Sequence, residues 1–133
     1  MLQYCLQETA AQGAELLPTD RNVTVLWALG LTWSQAGEPT LVACNGRPIA
    51  FTLWGEMKAP LLLDVRHRVC SGIATYVEPA HRHAGVSRML RQAALAMVTA
   101  RGMVVRGVAY SNAGLQSVLT LGFQPVGVMV ESV

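Results

Sequence analysis

The stretch from Val69 to Tyr110 constrains this chain more than any other part of it. Val69 to Val77 is a β-branched and apolar run. Pro79 closes it, because proline lacks the N–H that a central ladder needs. Val86 to Ala100 then carries Val86, Leu90, Ala93 and Met97 at a helical 4-3-4 spacing, which makes one apolar stripe. Gly102 suits the left-handed residue just past a helix. Met103 to Tyr110 is rich in valine and reads as a buried strand. Strand, loop, helix and strand form a βαβ unit, in which the two strands are parallel and the crossover right-handed.

The remaining elements are read around that unit. Leu2 to Glu8 is expected as a first strand and Ala10 to Leu17 as a helix, with a turn at Pro18-Thr19-Asp20. A second helix, capped by Asn22 or Thr24, runs to about Gln35 and ends at Gly37. Thr40 to Cys44 and Pro48 to Trp54 are strand-like runs around Asn45-Gly46, a hairpin signal because both residues tolerate positive φ. Met57 to Arg68 is a connection with a short strand at Leu61 to Val65. Ala113 to Leu121 is a short helix stopped at Gly122, and Gln124 to Val130 is a final strand. No repeat, low-complexity tract or composition break divides the chain, so residues 1–133 are expected to form a single domain. The resulting class is α/β (α+β), a mixed central sheet of about six to seven strands flanked by about four helices.

Composition narrows the setting. Apolar residues make up 52% and charged residues 14%, enough apolar surface to offset ordering entropy, so the chain is not disordered. Its most apolar stretch, Val23 to Trp33, falls short of the roughly 20 residues a membrane-spanning helix needs. No signal peptide is expected at Met1-Leu2-Gln3, and no membrane partner. Cys5, Cys44 and Cys70 are an odd number without CxxC spacing, as expected of reduced thiols in a cytoplasmic protein. The net charge of +2 does not by itself imply nucleic acid.

The segment Val77-Glu78-Pro79-Ala80-His81-Arg82-His83-Ala84-Gly85-Val86-Ser87 carries the chemistry. It joins a strand to the start of the strong helix, where several N–H groups lack partners and the helix dipole is positive. Gly85 permits close backbone approach, Ala84 and Ser87 are small, and Arg82, Arg88 and the histidines are basic. Successive amides in such a turn can surround a phosphate, so this is a candidate pyrophosphate site. An ordinary strand-to-helix loop that uses glycine for its turn is the alternative. The sequence has no GxxxxGK[ST] and no GxGxxG.

Arg82-His83-Ala84-Gly85-Val86-Ser87 resembles the Arg/Gln-x-x-Gly-x-Gly/Ala motif of GCN5-related N-acetyltransferases. Val77-x-Pro79 is similar to that family's strand ending, and Met89-Leu90 to its paired apolar residues. Asn112 and Gly122-Phe123 resemble its Asn…Gly-Phe element. The likeness covers about Gly72 to Gly127. It implies an acyl-coenzyme-A acyltransferase fold and transfer of an acetyl group from acetyl-coenzyme A to an amine, with coenzyme A as product. Two strands would splay so that the pantetheine arm inserts between them. By position, the backbone of Tyr76 and Val77 would meet the pantetheine or acetyl carbonyl. Arg82 and the amides of His83, Ala84, Gly85, Val86 and Ser87 would hold the pyrophosphate. Asn112 would contact the pantetheine or order the loop before the last helix.

Two departures bear on mechanism. Ser87 stands where glycine or alanine is usual. Val118 and Leu119 occupy the neighbourhood where the family often keeps a proton-donating tyrosine. Tyr110, at the end of the fifth strand of the implied fold, is the expected acid, with a half-buried strand tyrosine as the alternative. Glu78, beside the cofactor segment, is the expected base, and Glu56 a second candidate; a solvated loop carboxylate is the alternative for each. Trp33 and Trp54 are expected to border the acceptor groove as an apolar or stacking pocket, whereas Trp27 equally suits the core. His81 and His83 lack the further convergent ligands a metal needs, so no metal is expected. His67 with Arg66 and Arg68 is either a solvated loop or a contact for an acidic partner. Open alternatives are a non-catalytic acyl-coenzyme-A-binding module, an acetyltransferase acting on a nucleic-acid base, and a homodimer paired through the final strand.

Overall fold

A computed structural model of the chain describes residues 1–57, 65–128 and 130–132. In chain order the elements are α1 (Leu2–Ala11), α2 (Asp20–Gln35), β1 (Leu41–Cys44), β2 (Pro48–Met57), β3 (Val69–Val77), a 3₁₀ turn (Pro79–His81), α3 (Val86–Ala100), β4 (Val104–Arg106) and α4 (Asn112–Leu119). The sheet runs β1-β2-β3-β4. The first three strands are antiparallel neighbours, and β3 and β4 are parallel. This is a mixed α+β architecture built on the expected βαβ unit.

Strand alternation divides the core into two layers. Phe51, Leu53 and Tyr76 pack with Cys5 and Leu6 of α1 and Leu26 of α2. On the other face Leu90, Ala94 and Val98 of α3 cover Ala50, Val77, Trp54 and Cys70. The buried stripe of α3 therefore steps by four, from Leu90 through Ala94 to Val98, and Ala93 is exposed. Gly102 sits at φ +68, its N–H on Thr99 O and the Met103 N–H on Val98 O, closing the helix as expected.

Several expectations are corrected. The sheet has four strands among the described residues, not six to seven. Leu2 to Glu8 is helical: Leu2, Cys5 and Leu6 lie at i, i+3 and i+4 and pack together against the sheet. Residues beyond Ala11 are not helical up to Asp20. Helix α2 starts at Asp20, where the Thr19 hydroxyl accepts from the Asn22 N–H at 3.2 Å. The hairpin forms, but over three residues with a bulge between Ala43 and Cys44, and only Gly46 takes positive φ. The strand expected over Met103 to Tyr110 shrinks to Val104–Arg106. Gln124 to Val128 and Val130 pair with nothing in the sheet; Val126, Val128 and Val130 are 80%, 89% and 85% exposed. The strand expected at Leu61 to Val65 falls mostly outside the described residues. No helix among the described residues is long and apolar enough to cross a membrane.

All three cysteines are free thiols. Burial pushes the Cys5 and Cys70 thiols up to about 11, which keeps both protonated and unreactive at neutral pH.

One packing contact ties α2 to the sheet. The Trp33 indole lies directly on Gly55 of β2, where a Cβ would overlap the ring. Gly55→Ala is expected to destabilise the fold by about 1–3 kcal/mol through overpacking. A urea melt that matches wild type within error would refute that contact.

Candidate functional site

The parting of two strands defines the site. β3 pairs with β4 only from Val69↔Val104 to Ser71↔Arg106. β3 then continues to Val77, held on its other edge by β2 as far as Ala50↔Val77. The two chains separate beside Gly107, where a Cβ would stand 3.6 Å from the Gly72 carbonyl oxygen. From Gly72 to Val77 the sheet thus presents an edge that an extended polar chain can join by main-chain hydrogen bonds.

The segment after β3 turns sharply into α3. Glu78 N–H donates to Ile49 O, and the 3₁₀ turn Pro79–His81 follows. His83 at φ +64 and Gly85 at φ +80 are both left-handed. Nothing lies within 4 Å of the position a Gly85 Cβ would take, so glycine is needed for its φ and the space above it is open. Gly85 is also the N-cap of α3, with no side-chain hydrogen bond to the first turn. The first N–H groups of the helix therefore lack a side-chain cap and carry its positive end.

A cleft of about 380 Å³ opens there. It brings together Tyr76, Val77, Arg82, His83, Gly85, Val86 and Ser87 from the expected set; Ala84 is exposed but does not line it. Arg88 and His81 add basic character. Three lining residues escaped the sequence reading: Glu8, Thr75 and Ser117. Thr75 Oγ1 shares a 2.7 Å hydrogen bond with buried Thr52, and Ser117 Oγ accepts from Arg91 at 2.6 Å. Burial lowers the Arg91 pKa. A threonine in an apolar strand was the available signal for Thr75. Glu8 has no such signal, because the pattern of Leu2 to Glu8 suggests a strand and not the helix that carries it.

Arg82 is heavily engaged. Its Nε donates to Val77 O at 2.9 Å, an Nη donates to Glu8 Oε1 at 2.6 Å, and the guanidinium lies 5.4 Å from the Tyr76 ring centroid. The hydrogen bond to Glu8 is the main cause of its raised pKa. Tyr76 is buried against Phe51, with ring centroids 6.1 Å apart, and burial pushes its phenol up.

The other expected residues lie elsewhere. Tyr110 and Asn112 line a separate cleft of about 430 Å³ with Ser111 and Leu115. Tyr110 is 42% exposed, and Asn112 opens α4, whose cap is the Ser111 hydroxyl accepting from Gly114 N–H at 3.0 Å. Glu78 is held by Arg47 through two hydrogen bonds of 2.9 and 2.8 Å, which lower its carboxyl pKa and occupy both oxygens. Glu56 is paired to Arg68 and lies opposite Cys70, about 23 Å along β3 from Val77 at the usual strand rise. Neither carboxylate is placed as a free base at the cleft. Trp33 packs on the α1–α2 face and Trp54, 5% exposed, on the α3 face, so they do not form one acceptor pocket. Trp27 is 63% exposed and fills no core.

Known structures share this architecture. A GCN5-related N-acetyltransferase from Ralstonia eutropha JMP134 superposes with a TM-score of 0.69 at 18% identity, covering 99% of this chain and 89% of the other. A predicted acetyltransferase from Clostridium acetobutylicum, solved with acetyl-CoA, gives 0.69 at 17%, covering 98% and 86%. An aminoglycoside 6′-N-acetyltransferase from Acinetobacter haemolyticus gives 0.53 at 23%, covering 80% and 78%. No protein-family model and no curated protein matches the sequence. The chain has the fold of the GCN5-related N-acetyltransferases.

The Arg47–Glu78 pair makes a pH prediction. The folded carboxyl titrates below its unfolded value, so the pair's contribution is complete above the unfolded pKa and is lost as pH falls through the lowered one. Arg47→Ala is expected to return the Glu78 titration upward and flatten the acid limb of stability. Carboxyl NMR across roughly pH 2 to 7 reads this; an unmoved Glu78 titration would contradict the pairing.

Proposed function

We propose that the chain belongs to the GCN5-related N-acetyltransferase family and, acting as one domain, transfers an acetyl group from acetyl-coenzyme A directly to a primary amine. One observation carries this reading: the exposed edge of β3 leads straight into a loop with two left-handed residues and an uncapped helix start. That arrangement suits a ligand with an extended amide arm and a diphosphate, the chemistry of coenzyme A. The open space above Gly85 fits close approach of the phosphates. The Clostridium structure contains acetyl-CoA, which supports the donor assignment. Free cysteines fit a reducing, cytoplasmic setting.

In this proposal the acyl thioester supplies the activated acetyl group. The backbone at Tyr76 and Val77 orients the arm, with the Val77 carbonyl already taken by Arg82. The amides from His83 to Ser87 hold the diphosphate, and Asn112 contacts the pantetheine or orders the loop before the last helix. Alignment and a polarised carbonyl account for most of what an amine and a thioester need. Tyr110 serves as acid for the departing thiolate. Glu78 takes no part as base, since Arg47 holds its carboxylate.

A second reading, a non-catalytic acyl-coenzyme-A-binding module, is favoured by the engagement of Glu8, Glu56 and Glu78 in ion pairs. An amine panel with thiol detection separates the two.

Calorimetry with coenzyme A tests the loop. Gly85→Glu places a carboxylate at the phosphates and is expected to abolish saturable binding; retained affinity would sink the assignment. Tyr110→Phe is expected to lower kcat by about 10- to 100-fold and leave coenzyme A affinity unchanged. An unchanged kcat would remove Tyr110 from the mechanism.

A further inference from the structure

Arg82 belongs to the anion loop by sequence and to the scaffold by contact. Its guanidinium is fixed at three points: the carbonyl of the last β3 residue, the Glu8 carboxylate on α1, and the Tyr76 ring. Tyr76 is itself buried with Cys5 and Leu6 of α1. The next residue, His83, is left-handed without being glycine. Such a conformation persists only where its surroundings over-determine it. The Glu8–Arg82 link ties the residue before His83 to α1 across 74 residues of chain.

We infer that Glu8 is a positioning residue for the cofactor loop: by holding Arg82 it keeps the His83 and Gly85 turns in the shape that aims successive amides at a diphosphate. The inference rests on the proposed coenzyme A reading of that loop.

The sign of the effect separates positioning from simple charge. Glu8 lines the same cleft, so as a bare negative charge it would repel a diphosphate. Removing it would then tighten binding, the more so if Arg82 were released toward the phosphates. A positioning role predicts the opposite.

Calorimetry on the whole chain decides between them. Glu8→Ala is expected to weaken coenzyme A about tenfold, the size of one lost charge-assisted hydrogen bond. Glu8→Gln keeps an oxygen for Arg82 and should stay within about threefold of wild type. Competition by ADP, which carries the diphosphate, should fall in parallel with coenzyme A, while pantetheine, which carries only the arm, should be unaffected. Arg82→Met removes the link from the loop side and should reproduce the loss. The double variant should lose no more than either single one, and Glu8→Ser takes the place of Glu8→Ala if that variant does not fold. Unchanged or tighter coenzyme A binding in folded Glu8→Ala overturns the inference. Wild type that fails to bind coenzyme A overturns the parent reading instead.

Discussion

The site depends on how little of β3 is matched by β4. β4 has three residues, and after Ser71↔Arg106 the two chains part. β3 does not fray there, because β2 holds its other edge through to Val77. Backbone groups along a strand paired on one side need partners from solvent or a ligand. Glycines stand on both sides where the strands part. Gly107 passes close to the Gly72 carbonyl, and on the sheet's α3 side a Gly72 Cβ would stand 3.3 Å from the Trp54 indole. A Cβ at Gly107 would make an ordinary contact, whereas one at Gly72 would press on the Trp54 indole, so packing beneath the sheet favours glycine at 72.

Stability and positioning fall to different interactions. The apolar layers on the two sheet faces bury Phe51, Leu53, Leu90, Ala94 and Val98, and burial of this kind is the main favourable term. The ion pairs are solvent-accessible and contribute little to stability. Their value is geometric. Arg47–Glu78 joins the β1–β2 hairpin to the residue after β3, and Arg82–Glu8 joins the loop to α1. Arg68–Glu56 and Arg101–Glu38 hold the opposite end, where Arg68 also donates to Arg101 O near the close of α3.

What the sequence reveals and hides has a physical pattern. β3 and α3 were legible to the residue, because a proline stop, a glycine stop and a strong apolar period mark their ends. The left-handed turn at Gly85 between them is legible for the same reason. Leu2 to Glu8 suggests a strand because Leu2, Cys5 and Leu6 fit a helix only when weighed against a core that the sequence does not display. Two valine-rich segments err the other way. Gly107 to Tyr110, Val126 and Val128 lie in runs of strand composition, but a strand needs a neighbour in register, and propensity does not supply one. Pairings across the chain, Glu8 with Arg82 above all, leave no local trace, and so Glu78 looked available when Arg47 had already taken it.

The proposed use of the loop's backbone amides for a diphosphate bears on which side-chain departures such a site tolerates. An amide contact depends on φ and ψ, so the demand falls on the left-handed positions and on whatever keeps them there. Ser87, the second residue of α3, changes the side chain but leaves the amide and the helix start in place. Gly85 has no such latitude, because its φ of +80 disfavours every residue with a Cβ. His83 meets the same demand without glycine's freedom, and the cost is carried by the anchored side chain before it. In the proposed site, Arg82 is engaged by Val77, Glu8 and Tyr76, so its contacts shape the loop. Positive charge is left to the helix end, Arg88 and the flanking histidines, all of which line the cleft or begin it.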